Sequence, residues 1–415
     1  MSEQEATLDQ FGKNTESKQS DEWQYVQLGD VSKKRSDNVD PQKVELDRHV
    51  GLEHILPNTP SPRWESLNDL SSTKRRFKAG DVLFAKLRPN LEKSAQPDFD
   101  GVSSSDIFPI VANDGINSKF LLYRLSSKPA YDYARRTSAG TRMPRTSWNL
   151  FSNFEFGLPS LTEQRKIATV LYTVDQAIEK TEEIIEQTKR IKLGILQRYF
   201  SPYDTIRRDE NPKSVEMLEL SDLVEFKPGK AWKTKNLSED GIKVVRISNL
   251  TGHKDNYWRY NGNYDEKRII KDGDLLFSLE AMETSIGVHM YHGEKSLLNQ
   301  HIYNLIPKRN IGRKFIYYYL DYRMSDLYSL SQGGAVQIHL TKDIIERILV
   351  PTLDAEKRES IVTRLSEMDD ILQNEREQIS QLQRIKQGLL QDLLSGTVRT
   401  TDTNITVPDK VAQHG

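Results

Sequence analysis

The stretch "RIKLGILQ", Arg190–Gln197, returns as "RIKQGLLQ", Arg384–Gln391, after an interval of 194 residues (384 − 190). Each copy sits in a long run of helical periodicity. In the first run the apolar or neutral positions are Ile167, Leu171, Val174, Ile178, Thr181, Ile185 and Thr188, then Ile191 or Lys192, then Ile195. Steps of four and three alternate, which is the signature of a heptad seam. The same interval carries this seam onto Ile361, Leu365, Met368, Leu372, Glu375, Ile379 and Leu382, then Ile385 or Lys386, then Leu389, with Glu375 as the weak link. A helix of roughly 35–40 residues is about 55 Å long and is not stable alone with such a seam in water. Two tandem copies most simply relate by a twofold axis, so the two helices are expected to pair antiparallel.

Local signals mark the helix ends. Pro159 and Pro351 precede the two runs, and Thr162 and Asp354 are the predicted N-caps. Ser201-Pro202 closes the first helix and Ser395-Gly396 the second. The rest of the chain echoes more faintly. "KAGDVLFAKL" (Lys78–Leu87) matches "KDGDLLFSLE" (Lys271–Glu280), "KFLLYRL" (Lys119–Leu125) matches "KFIYYYL" (Lys314–Leu320), and "LGDV" (Leu28–Val31) matches "LSDL" (Leu220–Leu223). The expected fold class is α+β: two tandem α/β domains separated by two long helices that form an antiparallel coiled coil, a pseudo-twofold internal repeat. The expected segments are a disordered arm at 1–21, a first domain at 22–157, a long helix at 158–200 and a linker at 201–213. A second domain follows at 214–349, then a second long helix at 350–396 and a flexible tail at 397–415.

Composition narrows the function classes. The 415 residues include no cysteine, which excludes disulfides and cysteine-based zinc sites and points to the cytoplasm. No apolar run is long enough to span a membrane. There is no phosphate-binding G-x-x-x-x-G-K-[ST], no G-x-G-x-x-G and no Asn/Asp-Pro-Pro-aromatic tetrapeptide. No cofactor, no metal and no catalytic residue are therefore expected. His289-x-x-His292 has ligand-like spacing, but it lies in a Gly-bounded stretch and reads as surface.

The net charge of −1 conceals local basic clusters. "RRTSAGTRMPR" carries Arg135, Arg136, Arg142 and Arg145 with no acid, and Ser138, Gly140 and Thr141 allow close approach to a surface. Arginine reads guanine through a fork onto O6 and N7. Lys74, Arg75 and Arg76 in "TKRRFK", the run Lys33–Arg35, and Arg88 and Asn90 in "KLRPN" add further candidates. In the second half, "KPGKAWKTK" presents Lys230, Lys233 and Lys235 around Trp232, and His253-Lys254 follow. "SQGGAVQIH" stands where the first half has its arginine loop, and it holds Gln332, Gly333, Gln337 and His339. Glutamine pairs with adenine in a bidentate pose. Two related domains on a dyad, differing where they touch bases, would read two unrelated half-sites of double-stranded DNA, with the helices setting their distance.

These features together resemble a known family, the DNA-recognition (specificity) subunit of type I restriction-modification systems. "DRHVGLEHI" (Asp47–Ile55), "FKAGDVLFAKLRPNLEK" (Phe77–Lys93), "SAGTRMPRTSW" (Ser138–Trp148) and "LPSLTEQRKIATVLYTVDQAIEKTEEII" (Leu158–Ile185) carry the resemblance. "VVRISNL" (Val244–Leu250), "GDLLF" (Gly273–Phe277), "GGAVQIHLTKD" (Gly333–Asp343) and "RIKQGLLQDLLSG" (Arg384–Gly396) carry it in the second half. The resemblance implies two target-recognition domains reading a bipartite, asymmetric site. It also implies a helix pair that docks methyltransferase subunits, two in all, with motor-nuclease subunits joining that complex. Asp354-Ala355-Glu356 departs from Thr162-Glu163-Gln164, so the contacts at the two helices need not be equal. The stripe Val170, Ala177 and Ile184 beside the first seam is the expected dock. The competing classes are a coiled-coil scaffold or another two-headed nucleic-acid-binding protein, and an enzyme with an unrecognised site.

Overall fold

The computed structural model describes residues 23–68, 70–203, 215–252, 256–279, 287–332 and 341–413, without the side chains of 325–332. The expected arm and most of the expected linker lie outside these residues. The chain divides into two compact units, Met1–Glu182 with Gln378–Gly415, and Glu183–Glu377. Five longer helices organise them. They are α1 (Ser118–Leu125), α2 (Lys128–Arg136), α3 (Leu161–Phe200), α4 (Arg313–Gln332) and α5 (Ala355–Ser395). Each unit holds one sheet-rich head and part of both long helices, α3 and α5.

The two heads share one plan. The first has a two-stranded ribbon, Gln24–Gln27 against Glu155–Leu158, and the second has Met217–Glu219 against Leu349–Pro351. A four-stranded sheet runs Ser32–Lys34, Ile107–Ala112, Val82–Ala85, Ser94–Ala95 in the first head. Its counterpart runs Val224–Pro228, Ile302–Pro307, Leu275–Ser278, Gly287–Met290. The strands Val82–Ala85 and Leu275–Ser278 are buried throughout, as the apolar runs Val82–Ala85 and Leu275–Phe277 lead one to expect. Each is entered by a tight turn. Gly80 and Gly273 take φ of 86° and 79°, and the following Asp81 and Asp274 accept from the backbone N–H of Lys78 and Lys271.

The five-stranded sheets show where the copies part. Both contain one parallel pair, Arg48–Val50 beside Gly101–Ser103 and Ile242–Val245 beside Ser296–Leu298. The outermost strand differs. In the first head Asn38–Val39 adds beside Lys74–Phe77, whereas in the second Leu237–Ser238 adds beside Trp258–Tyr260, at the opposite edge of the equivalent core.

Each head packs its core onto both long helices. The first core joins Phe84, Phe120, Phe151 and Phe156 to Ile167 and Leu171 of α3 and to Leu393 and Leu394 of α5. The second joins Leu275, Phe315 and Tyr319 to Leu196 and Phe200 of α3 and to Ile361 and Leu365 of α5. In each unit one helix ascends as the other descends, so the pairing is antiparallel, as expected.

The seam itself is polar at its repeated positions. Between Ile191 and Lys192, and between Ile385 and Lys386, the structure selects lysine. Lys386 Nζ lies 2.5 Å from Asp175 Oδ1, with side chains 9% and 2% exposed. Lys192 Nζ lies 2.6 Å from Asp369 Oδ1, with side chains 15% and 35% exposed. The repeat maps Asp175 onto Asp369 and Lys192 onto Lys386. Each aspartate also accepts from a tyrosine of its own head: Tyr123 Oη at 2.8 Å from Asp175, and Tyr318 Oη at 2.9 Å from Asp369. A long lysine stem packs along the seam while its ammonium reaches across, which the isoleucine beside it cannot do. Asp175, not the expected Val174, is the buried residue at that turn.

One helix end and the tail also correct the sequence reading. Asp354 caps α5 as expected, its Oδ1 accepting from Lys357 N at 2.8 Å, but Ser160 rather than Thr162 caps α3, accepting from Glu163 N. The described part of the tail is packed, not loose. Arg399 forks onto Glu163 at 2.8 and 2.9 Å, and Lys166 Nζ donates to the carbonyls of Thr400, Thr401 and Thr403. Asn117 Nδ2 donates to Val411 O, and the Val411 side chain is fully buried. A strap held by its carbonyls, one arginine and one valine has no apolar periodicity to reveal it.

Candidate nucleic-acid interface

Two loops meet at one tip of the first head. Ala139 and Arg145 exchange backbone hydrogen bonds at 3.0 Å and so close the loop Gly140–Pro144, in which Gly140 takes φ of 98°. Arg88 N donates to Pro144 O, which sets the turn around Pro89–Leu91 against this loop. Arg88 is a non-glycine residue at φ 49°, a left-handed conformation that L side chains rarely adopt. Arg88, Asn90, Thr141, Arg142 and Met143 are exposed there. Arg136 is exposed at the end of α2, over the Tyr133 ring. Arg135 is tied to Glu92 and Asp132, and Ser138 Oγ donates to Ala134 O.

Below this tip, cations converge on one acid. Arg145 places Nε 2.9 Å from Asp106 Oδ1 and Nη2 3.1 Å from Oδ2. Lys86 Nζ lies 3.9 Å from the same carboxylate. The Arg145 fork holds Asp106 below the usual carboxylate range, against burial, with Lys86 and Arg75 adding to it. Burial pushes the Lys86 ammonium down, and Arg75, Arg145 and Lys34 push it the same way. Sequence reasoning missed Lys86 and Asp106. Lys86 stands two residues before Arg88 in a quoted motif, but Asp106 is 39 residues from Arg145 and nothing local signals it.

Not all of the "TKRRFK" cluster serves such a surface. Lys74 is buried, on the strand face opposite Phe77, and its Nζ donates to Ser72 Oγ. Arg75 and Arg76 are half-buried on the same strand. Arg35, from the run Lys33–Arg35, is used by Asp81 at 2.8 Å.

The second head builds its basic surface differently. Trp232 Nε1 donates to Leu298 O at 2.9 Å and its ring meets Tyr260 at 4.8 Å, so the loop is pinned through its tryptophan. Gly229 is required, since a Cβ there would meet Asn299 O at 2.0 Å. Lys230 sits over the Trp232 ring, and Lys233 and Lys235 are exposed. Lys267 and Arg268, not singled out in the sequence, line the same cleft as Lys227 and Lys230. His253, Lys254, Gly333, Gln337 and His339 lie outside the described residues, as does the side chain of Gln332.

Among the described residues, one trio could in principle hold a metal ion: His49, His54 and Glu65. Its hydrogen bonds argue otherwise. Gly51 N donates to His54 Nδ1 at 2.9 Å, which leaves the proton of a neutral ring on Nε2, the atom facing Glu65. His49 Nδ1 is already bonded to Glu65 Oε1 at 2.8 Å. The trio reads as a hydrogen-bonded brace. His289 and His292 turn to different partners, Ser278 and Asp272. Contrary to the surface reading, His289 is partly enclosed on Gly287–Met290, with Nε2 3.2 Å from Ser278 Oγ, and burial lowers its pKa to about 4.

A doubled sheet-rich head on paired long helices, with a different basic tip on each copy, is the architecture of a two-module recognition protein. The family model for the type I restriction modification DNA specificity domain matches twice, at residues 20–190 and 212–384. The chain belongs to this family. It is 24% identical over 327 residues to the type I restriction enzyme MjaVIII specificity subunit of Methanocaldococcus jannaschii, covering 73% of this chain and 76% of that one. It is 27% identical over 197 residues to the EcoDI specificity subunit of Escherichia coli, covering 45% and 43%. Its fold is similar to the crystal structure of the type I restriction-modification S subunit from M. genitalium, with TM-score 0.59, 17% identity, and coverage of 91% and 97%. It is also similar, at TM-score 0.51 and 20% identity, to a chain solved in work on complex assembly and conformational transition of the type I R-M system, covering 91% and 98%. None of the described helices is long and apolar enough to cross a membrane.

Proposed function

We propose that the chain is the non-catalytic specificity subunit of a type I restriction-modification complex and reads a bipartite, asymmetric duplex site, one half-site per head. The complex as a whole would methylate adenine and cut DNA at the expense of ATP. The carrying observation is that one head plan occurs twice with unlike basic tips, arginine-rich in the first and lysine- and tryptophan-built in the second. Phosphate contacts from such tips position a head, and base contacts specify the sequence. Mapping methylated adenines in cells carrying the complex gives both half-sites and the gap. Exchanging residues 22–157 for the matching head of a relative should change one half-site and leave the other alone. A change in both, or in neither, would sink the reading.

Docking of two methyltransferase subunits, and through them of motor-nuclease subunits, belongs to the long helices. Val170 is unsuited to the dock because it packs against the first core. Ala177 and Ile184 are half-buried and extend at heptad spacing to Ile191, which is 55% exposed. The repeat maps Ala177 onto Ile371 and Ile191 onto Ile385, and these are 37% and 52% exposed. Exposed isoleucines at matching places on both helices support one dock on each. Ile191→Asp and Ile385→Asp should each remove one methyltransferase subunit on co-purification; an unaltered complex would place the dock elsewhere.

A further inference from the structure

We propose that Asp106 is a specificity-determining residue that occupies, in the DNA-free head, the place of a DNA phosphate and holds Arg145 until a duplex displaces it. The proposal rests on the DNA-binding reading of this head. Arg145 presents to Asp106 the two-pronged face by which a guanidinium grips a phosphate or a guanine edge. Lys86 approaches the same carboxylate, and Arg75 bears on it electrostatically. Three cations thus share one acid, so a further anion is attracted there once the acid gives way.

The fork is built for exchange. Arg145 and Asp106 side chains are 42% and 21% exposed, so water assists their separation. The backbone does not depend on it. Ala139 and Arg145 are paired through both main-chain bonds, Thr146 N donates to Lys86 O, and Arg88 N donates to Pro144 O. Opening the fork frees the Arg145 side chain while the loop keeps its place. Every duplex must compete with Asp106, and only one that offers base contacts as well recovers the lost contact. Such an internal competitor raises discrimination by penalising the wrong partners.

The test uses the full chain, random-sequence duplex DNA and fluorescence anisotropy across a salt series. Asp106→Asn releases Arg145 and removes the competing charge. One additional phosphate contact adds roughly 0.9 to the slope of log affinity against log salt, which amounts to about fivefold tighter binding near physiological salt. Arg145→Ala introduced beside Asp106→Asn should erase that gain, whereas Arg145→Ala alone should change random-duplex binding little. Unchanged or weaker binding by Asp106→Asn, with thermal unfolding retained, overturns the proposal. So does a gain that survives Arg145→Ala, since that would be a distant charge effect. Asp106→Ser serves if the amide variant unfolds. If the unaltered chain binds no duplex, the DNA-binding reading itself fails, a result distinguishable from the others.

Discussion

Replacing Lys386 with methionine keeps the stem in the seam and removes the ammonium. Asp175, with a side chain 2% exposed, would then lose its paired ammonium and keep the Tyr123 hydroxyl, with Lys119 acting on it only electrostatically. Breaking a buried pair in this way costs about 3–5 kcal/mol, since the remaining charge has no water to turn to. For a unit of this size roughly 2–4 °C is lost per kcal/mol, so the first unit should unfold on the order of 10 °C earlier. Lys192→Met is the matched control. Its partner Asp369 is 35% exposed, retains solvent and the Tyr318 hydroxyl, and should cost only about 1 kcal/mol. Adding Asp175→Asn to Lys386→Met removes the stranded charge but keeps an acceptor for Tyr123, and most of the loss should return. Scanning calorimetry on the four chains measures this. Equal losses for the two lysine variants, or no recovery in the double variant, would refute the argument that burial sets the cost.

Arg142→Ala, if Arg142 forks onto guanine, should cost about 1–3 kcal/mol in binding and relax one position of one half-site. Lys233→Ala should weaken all duplexes alike and lower the salt slope by roughly one, and a methylation map with binding isotherms separates the two behaviours. His289 has a folded pKa of about 4 against an ordinary 6.5, so its contribution is complete above pH 6.5 and is lost as pH falls toward 4. The loss reaches up to about 3 kcal/mol, and His289→Asn should flatten unfolding curves in that window. Burial pushes the Glu163 carboxyl up, but Arg399, the Thr400 N–H and Trp23 together hold it below the usual value. Its stabilisation is present above the ordinary glutamate range and lost as pH falls through the lowered value. Glu163→Gln should therefore cost about 1.5–3 kcal/mol at neutral pH and remove that acid sensitivity in urea titrations.

The elements that sequence made legible are those with periodicity. The heptads of α3 and α5 stand out because an apolar residue every three or four positions has few other uses. Val82–Ala85 and Leu275–Phe277 stand out because a short apolar run behind a glycine turn buries on both faces. What stayed hidden depends on pairs remote in the chain. The choice of Lys192 over Ile191 needs Asp369 across the seam, and the capture of Arg145 needs Asp106. The burial of Lys74 shows only once its strand is paired on both sides, by Asn38–Val39 and Gly101–Ser103. The shifted edge strand, Asn38–Val39 against Leu237–Ser238, is two residues long in each head and too short to carry a pattern. The tip of the first head was found through composition alone, since an acid-free arginine run needs no partner to be noticed.

A heptad seam by itself leaves the register open, because sliding one helix by seven residues puts apolar residues opposite apolar residues again. The repeated lysine and aspartate remove that freedom. After a slip of seven, Asp175 would face Ile379 or Leu393 instead of Lys386, and Lys192 would face Val362 or Arg376 instead of Asp369. One slip in either direction therefore strands an aspartate against an aliphatic side chain and sets a lysine against an aliphatic side chain or another cation. Tyr123 and Tyr318 extend the constraint from the helices to the heads, since each donates to the aspartate that anchors the register. An all-apolar seam could match the stability of this arrangement but would not select one alignment, a role best attested for polar residues in coiled coils. The octet occurs twice because each helix must supply its lysine to the other's aspartate: a chain that marks its register at both ends of an antiparallel pair has to spell the mark once per helix.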